Sequence, residues 1–263
     1  PSSFNNIIKT RRTISALCLL GTAVAPSQAA VVSHYSFDSD YTDSSGNGND
    51  GTLTDVDTLG NSGIITSAGN HVFGGGAMDF SDDRDFINIP TQTFGSGLAY
   101  TVAFWAQVDD ADRTWNMVTG RPTDNNFFIA LNGGPNNSRW RSSDSSAARQ
   151  ADFPTGVNDT LWHHHVVTAS TTGDISYYLD GALVSTATGK QTGFIFASIG
   201  EAYTNASDFD FQGRIDEFWL LDETADATLV SNLFNTNTID GVPEPSSMML
   251  AGLAVLGVLR RKR

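Results

Sequence analysis

The chain has 263 residues, with 15 Lys and Arg against 29 Asp and Glu, a net charge of −14 and 40% hydrophobic residues. That length allows one large β domain or two small ones with an ample core, and the apolar content excludes a disordered chain. The only cysteine is Cys18, so no disulfide framework, cysteine metal site or cysteine nucleophile is possible beyond the head of the chain.

That head has its own pattern. Lys9, Arg11 and Arg12 precede an apolar run from Ile14 to Ala25, and Ser27-Gln28-Ala29 follows. A basic start, a short apolar stretch and a small-x-small site predict a removable secretory signal peptide over residues 1–29, which takes Cys18 with it. The run is too short to span a bilayer. Without the head and the basic tail, 8 basic residues face 28 acidic ones, a net of −20, and only Glu201, Glu217 and Glu223 remain as glutamates. So acidic a body argues against nucleic acid and anionic lipid as partners. It fits divalent cations, or plain solubility outside the cell.

Period-two alternation and turn signals run through the body. In chain order, strands are predicted at VVSHYSF (31–37), FINIP (86–90), Tyr100–Val108, NFFIALN (126–132), LWHHHVVTAS (161–170), FIFASIG (194–200) and GRIDEFWLLD (213–222). Val102, Phe104, Ala106 and Val108 share one face of their strand. Asp180-Gly181 between apolar runs predicts a hairpin. One short helix is expected, over Asp226 to Asn235. Many short strands with turns between them predict an all-β antiparallel sandwich. No linker separates the body into parts, so one domain spans residues 30–240.

Four features could carry chemistry. In DSSGNGNDG, Asp43 to Gly51, the residues Asp43, Asn47, Asn49 and Asp50 offer the hard oxygens that calcium takes, or those of an ordinary Asx-rich turn. Asp216 alternates with Phe218 and Leu220; if that face is the core, the carboxylate points inward, which is costly unless it is paired or metal-bound, but the opposite face of Ile215, Trp219 and Leu221 is equally apolar. His163 and His165 share a strand face, but no second histidine cluster exists to complete a zinc site, so packing is the expectation. Trp105, Trp115, Trp140 and Tyr203 are either core filler or platforms for sugar rings. Trp140, between Arg139 and Arg141, is the best exposed candidate, and Trp105 stands opposite the apolar face of its strand.

The chain closes in GVPEPSSMMLAGLAVLGVLRRKR, residues 241–263. A Pro-Glu-Pro step, an uncharged stretch from Ser246 to Leu259 and a basic end stand in the order a removable sorting signal needs. The tail resembles the PEP-CTERM signal of Gram-negative bacteria, with Pro243, Glu244 and Pro245 as its motif. The resemblance implies passage across the inner membrane and transient anchoring there by a short hydrophobic helix. Cleavage by an exosortase and delivery to the cell surface or an extracellular matrix would follow.

A second resemblance rests on an ordered set of stretches over residues 31–236: YSFD…YTDSSGNGNDGTL, GGAMDFSDDRDFINIP, YTVAFWAQV, LWHHHVVTAS…ISYYLDGALV and FQGRIDEFWLLDETADATLVSNLF. Together they resemble the laminin-G-like, concanavalin A-like jelly rolls of bacterial surface proteins. The resemblance implies two stacked antiparallel sheets of about 12–14 strands. It also implies a structural calcium held by Asp43, Asn47 and Asp216, with Asp38 as an addition. The function expected is non-catalytic binding of a polysaccharide, with Trp140 and Trp105 as the stacking residues. The alternatives are a structural matrix protein without a ligand, or a glycoside hydrolase. The last is disfavoured, because such enzymes use two carboxylates about 5.5 Å apart, and no Glu-x-Asp-x-x-Glu run occurs here.

Overall fold

The computed structural model describes residues 31–56, 61–80, 84–123, 126–133, 137–154, 159–202 and 209–239. The expected signal peptide at 1–29, the tail with Pro243, Glu244 and Pro245, and Tyr203 lie outside the described residues. Among the described residues no helix is long and apolar enough to cross a membrane.

Two antiparallel sheets form a sandwich. Across the first run β13 (Ala182–Ala187), β12 (Ile175–Leu179), β11 (His163–Ala169), β6 (Tyr100–Val108), β15 (Gly213–Leu221), β4 (Ala77–Phe80) and β3 (Gly63–Ile65), and β1 (Val31–Tyr35) also pairs with β15. The second runs β10 (Gln150–Phe153), β9 (Ser138–Ser142), β8 (Phe127–Leu131), β7 (Asn116–Gly120), β14 (Phe194–Ile199), β5 (Phe86–Phe94) and β2 (Thr52–Thr54). This is the predicted two-sheet antiparallel jelly roll. Fifteen strands stand among the described residues, slightly more than the resemblance implies, and two of them, β2 and β3, have three residues each.

The main core lies between the sheets. Val102, Phe104, Ala106 and Val108 of β6 all enter it, as their spacing predicts. Tyr100, Phe94, Phe194 and Phe196 meet edge-on or tilted at ring distances of 4.4–6.0 Å, arrangements that suit the ring quadrupoles. The buried Trp140 Nε1 donates to Tyr100 Oη at 2.7 Å, joining a strand of one sheet to a strand of the other.

A second, smaller layer covers the outer face of the first sheet. There α1 (Ala227–Thr236) packs Val230 and Leu233 on Ala103, Val166, Trp219 and Leu221. The hairpin between β12 and β13 turns on Asp180 (φ 49°) and Gly181 (φ 78°), the two left-handed residues that match strand twist. The helix starts at Asp226, whose side chain accepts from Leu229 N at 2.8 Å, and ends at the left-handed Asn237.

Because Asp226 caps that first turn, Asp226→Ala should lower stability by about 1 kcal/mol in a denaturant titration while leaving the β-sheet signal unchanged.

Candidate functional site

The two tryptophans favoured as sugar platforms are not on the surface. Trp140 is fully buried, because on β9 it alternates with Arg139 and Arg141 and therefore faces the main core. Its flanking charges mark the opposite face of the strand, and the surface expectation for Trp140 is corrected on that ground. Trp105 is 9% exposed. It does stand opposite the core face of β6, but Phe234 of α1 stacks on it at 5.5 Å and Phe73 and His164 close the sides. The helix covers the face that a sugar would need.

The open aromatic is Trp115, in the turn before β7. It is half-buried, with φ +66°, a left-handed backbone that a bulky side chain rarely adopts. Its N–H donates to Asn132 O at 2.8 Å, which fixes the turn. The Arg139 guanidinium lies 5.0 Å from its ring centre, and Phe209 meets it at 5.7 Å. Asp112, Arg113, Thr114, Trp115 and Phe209 line an open cleft of about 510 Å³. An aromatic floor with a carboxylate, a guanidinium and a hydroxyl at its rim has the chemistry that grips a sugar's apolar face and hydroxyls. Trp115 stood among four candidate aromatics in the sequence. Nothing in its spacing set it apart, because its exposure depends on a turn conformation and on the distant Phe209.

The expected calcium residues divide between two places. Asp43 accepts from His34 N, Ser45 N and Asn49 N, each at 3.0 Å. Partial burial pushes its carboxyl up, but donors from Ser45, His34 and Asn49 outweigh that and hold it below its ordinary value. Asn47 Nδ2 donates to Val31 O at 2.6 Å and Val32 O at 3.2 Å. These two residues shape the loop against β1.

Asp216 and Asp38 instead grip the segment before β4. Asp216 Oδ2 accepts from Val72 N at 2.7 Å and Phe73 N at 3.1 Å, and Asp38 Oδ1 accepts from Gly75 N. Asp216 is fully buried, on the face away from the main core. A bulge sets Glu217 (φ 52°) and Phe218 against the single residue Phe104, so Asp216 faces away from Phe218 and Leu220, which enter the main core. Asp216 Oδ1 is buried without a hydrogen-bond partner. Burial, and then Glu217 and Asp38 nearby, push its carboxyl up to about 7 against the two amide donors. Among the described residues no three His, Cys, Asp or Glu side chains gather as a metal cluster.

A family model for the concanavalin A-like lectin/glucanases superfamily matches residues 81–231. The chain belongs to this superfamily. A second model, the PEP-CTERM protein-sorting motif, matches residues 241–263. Comparison with curated proteins finds no match. Solved structures share the concanavalin A-like fold at low identity. Domain 4 of AbnA, a GH43 extracellular arabinanase from Geobacillus stearothermophilus in complex with arabinotriose, is 21% identical with a TM-score of 0.63, covering 80% of this chain and all of that one. The binding domain of Paraclostridial Mosquitocidal Protein 1 is 19% identical with a TM-score of 0.54, over 80% of this chain and 52% of that one. A botulinum neurotoxin type C structure, described with cell entry dependent on two ganglioside molecules, is 14% identical with a TM-score of 0.53, over 80% and 51%. The chain thus spans about half the length of the toxin structures it matches.

The superfamily name joins lectins and glucanases, so the carboxylates matter. Glu217 is buried against His34, whose Nε2 lies 2.5 Å from its carboxylate while the His34 ring stacks on Trp219 at 3.5 Å. Glu201 and Asp210 are bridged neighbours just beyond the end of β14, an interior strand of the second sheet, and both are fully buried. Asp210 pairs with Arg113, and neither carboxylate presents an oxygen to a glycosidic bond. The histidines are structural partners. His165 bonds Tyr177 Oη at 2.7 Å, and His163 sits between Asp180 and Asp159 at 2.8 and 3.0 Å.

Neither oxygen of Glu201 has a hydrogen-bond partner. Burial, then Asp210, push its carboxyl from 4.5 up to about 8. A carboxyl raised on folding holds its proton more tightly in the native state, so its contribution to stability is greatest below pH 4.5 and falls as pH rises through about 8. Thermal melts across that range should therefore fall more steeply with pH for the native chain than for Glu201→Gln, whose side chain does not titrate.

Proposed function

We propose that this is a non-catalytic, surface-sorted lectin-like protein that binds an extracellular polysaccharide, and that its sugar site is the Trp115–Phe209 cleft. The observation that carries this reading is the half-buried Trp115, held in a left-handed turn beside Asp112, Arg113 and Thr114. Ring stacking on one aromatic contributes on the order of 1 kcal/mol beyond area burial, which suits the weak, repeated contacts of a polymer. The arabinotriose and ganglioside named with two structural neighbours support a sugar as the ligand class. The sorting motif at 241–263 supports export in a Gram-negative bacterium, cleavage by an exosortase and residence at the cell surface or in the matrix.

Affinity electrophoresis or calorimetry against a panel of polysaccharides, the host's own exopolysaccharide included, tests this with the expressed protein. Trp115→Ala should cut affinity at least tenfold with a small change in melting temperature. Trp140→Ala should instead lower stability by about 3–5 kcal/mol through its core cavity. No binding to any polymer would move the reading to a matrix-structural protein, and release of reducing sugar would overturn the non-catalytic part.

A structural calcium is the second part of the proposal. Its support is Asp216 Oδ1, buried and unpartnered, with Asp38 beside it. Asp43 is saturated by amide donors, so its role is to shape the loop that carries the β1 end of the site. The ion would tie the segment before β4 to the centre of the first sheet. Calcium should raise the melting temperature, a chelator should reverse the rise, and Asp216→Asn should be insensitive to both.

A further inference from the structure

The body is strongly acidic, yet its few cations are not scattered. Of eight basic residues between 31 and 239, six (Arg113, Arg121, Arg139, Arg141, Arg149 and Lys190) sit on or beside strands β7–β10, at one side of the second sheet. Arg84 and Arg214 lie elsewhere.

Strand register lines several of these up. Arg139 and Arg141 point away from the core on the face opposite to Trp140. Arg139 stands across from Ala130, and Arg141 across from Phe128. Each guanidinium lies over a ring: Arg139 over Trp115 at 5.0 Å, Arg141 over Phe128 at 5.5 Å and Arg121 over Phe127 at 4.7 Å. Trp115 is hydrogen-bonded to Asn132 O at one end of β8, and Arg121 N to Phe127 O at the other. Phe127, under Arg121, turns instead toward the main core with Ile129 and Leu131, so the outward row ends at Phe128. At ~3.4 Å per residue, the row from Asn132 to Phe128 is about 14 Å long, more than one sugar ring.

The charges along this row are unequally neutralised. Arg139 is paired with Asp152, Arg149 with Asp144 and Arg113 with Asp210. Arg141 makes no ion pair with a described carboxylate, and its Nε is buried without a hydrogen-bond partner. Asp144 lies near enough to act on the Arg141 charge, as Arg139 does with the opposite sign, but no described side chain bonds it, so its N–H groups can meet an oxyanion bidentately.

We infer that the row from Trp115 through Arg139 to Arg141 binds an anionic polysaccharide, one that carries carboxylate or sulfate groups, with Arg141 meeting the anion. The inference rests on the sugar-binding reading of the Trp115 cleft and extends that site along the sheet. The net charge of the body repels polyanions at long range, so retention of one must come from this row and not from general attraction.

The test uses polygalacturonate for carboxylate, dextran sulfate for sulfate and dextran for a neutral polymer. The native protein should bind at least one anionic polymer tenfold or more tightly than dextran. Arg141→Gln should erase that preference without lowering the melting temperature appreciably, and Arg141→Glu should abolish anionic binding. Arg214→Gln, on the other sheet, should leave binding unchanged. Equal binding to dextran and the anionic polymers, unaffected by Arg141→Gln, would overturn the inference and leave the sugar site at Trp115 standing. Binding to no polymer in any arm would overturn both.

Discussion

The architecture of the first sheet depends on one irregularity, the extra residue in β15. Where Glu217 and Phe218 oppose Phe104 alone, the side-chain alternation of the strand resets. Ile215, Phe218 and Leu220 enter the main core, while Trp219 and Leu221 support the outer layer beneath α1. Without that reset the strand would send either Ile215 or Phe218 out of the main core, since they are three residues apart and a regular strand repeats every two. The same bulge turns Asp216 and Glu217 outward. There Asp216 holds the amides before β4 and Glu217 meets His34 of β1. Entry strand, exit strand and an intervening loop are joined at one point.

The two sheets have different employments. The first is covered twice, by the main core within and by the helix, Phe73 and the segment before β4 without. Its histidines, tryptophans and buried carboxylate are all engaged in that packing. On the second sheet the outer face at β7–β9 carries Trp115, Phe128 and the arginines, and Met117, Ala130, Ala202 and Phe209 pack there with them. The proposed ligand site lies on the second sheet, at the half-buried Trp115. A ligand on that face leaves the proposed calcium position untouched, so loss of the ion and loss of the sugar should be separable in experiment.

The strands with strong alternation were legible in the sequence. Tyr100–Val108, the Asp180-Gly181 hairpin and the helix from Asp226 all formed where period and turn chemistry placed them. The tail was legible from the order of its three parts, and its motif is matched by a family model. What escaped were features set by contacts far apart in sequence. Trp140 reads as exposed because Arg139 and Arg141 flank it, yet on a strand flanking charges mark the other face. The bulge at Glu217 reversed the face of Asp216, and no local pattern announces a single inserted residue. Phe209 and Trp115 meet across nearly a hundred positions, so the cleft had no linear signature.

The position of α1 has a mechanical consequence. It is the last regular element before the sorting tail, and Ile239 just beyond it packs into the same outer layer as Val230 and Leu233. Tension applied from the C-terminal side would reach Ile239 and the helix before any described strand. The helix is fastened by Phe234 on Trp105 and by the Asn237–Trp219 hydrogen bond of 2.8 Å. It can peel from the outside of the first sheet while the sandwich behind it stays closed. A polymer held on the second sheet, as proposed, would be separated from that helix by the full thickness of the core. The outer layer can act as a yielding washer between load and grip.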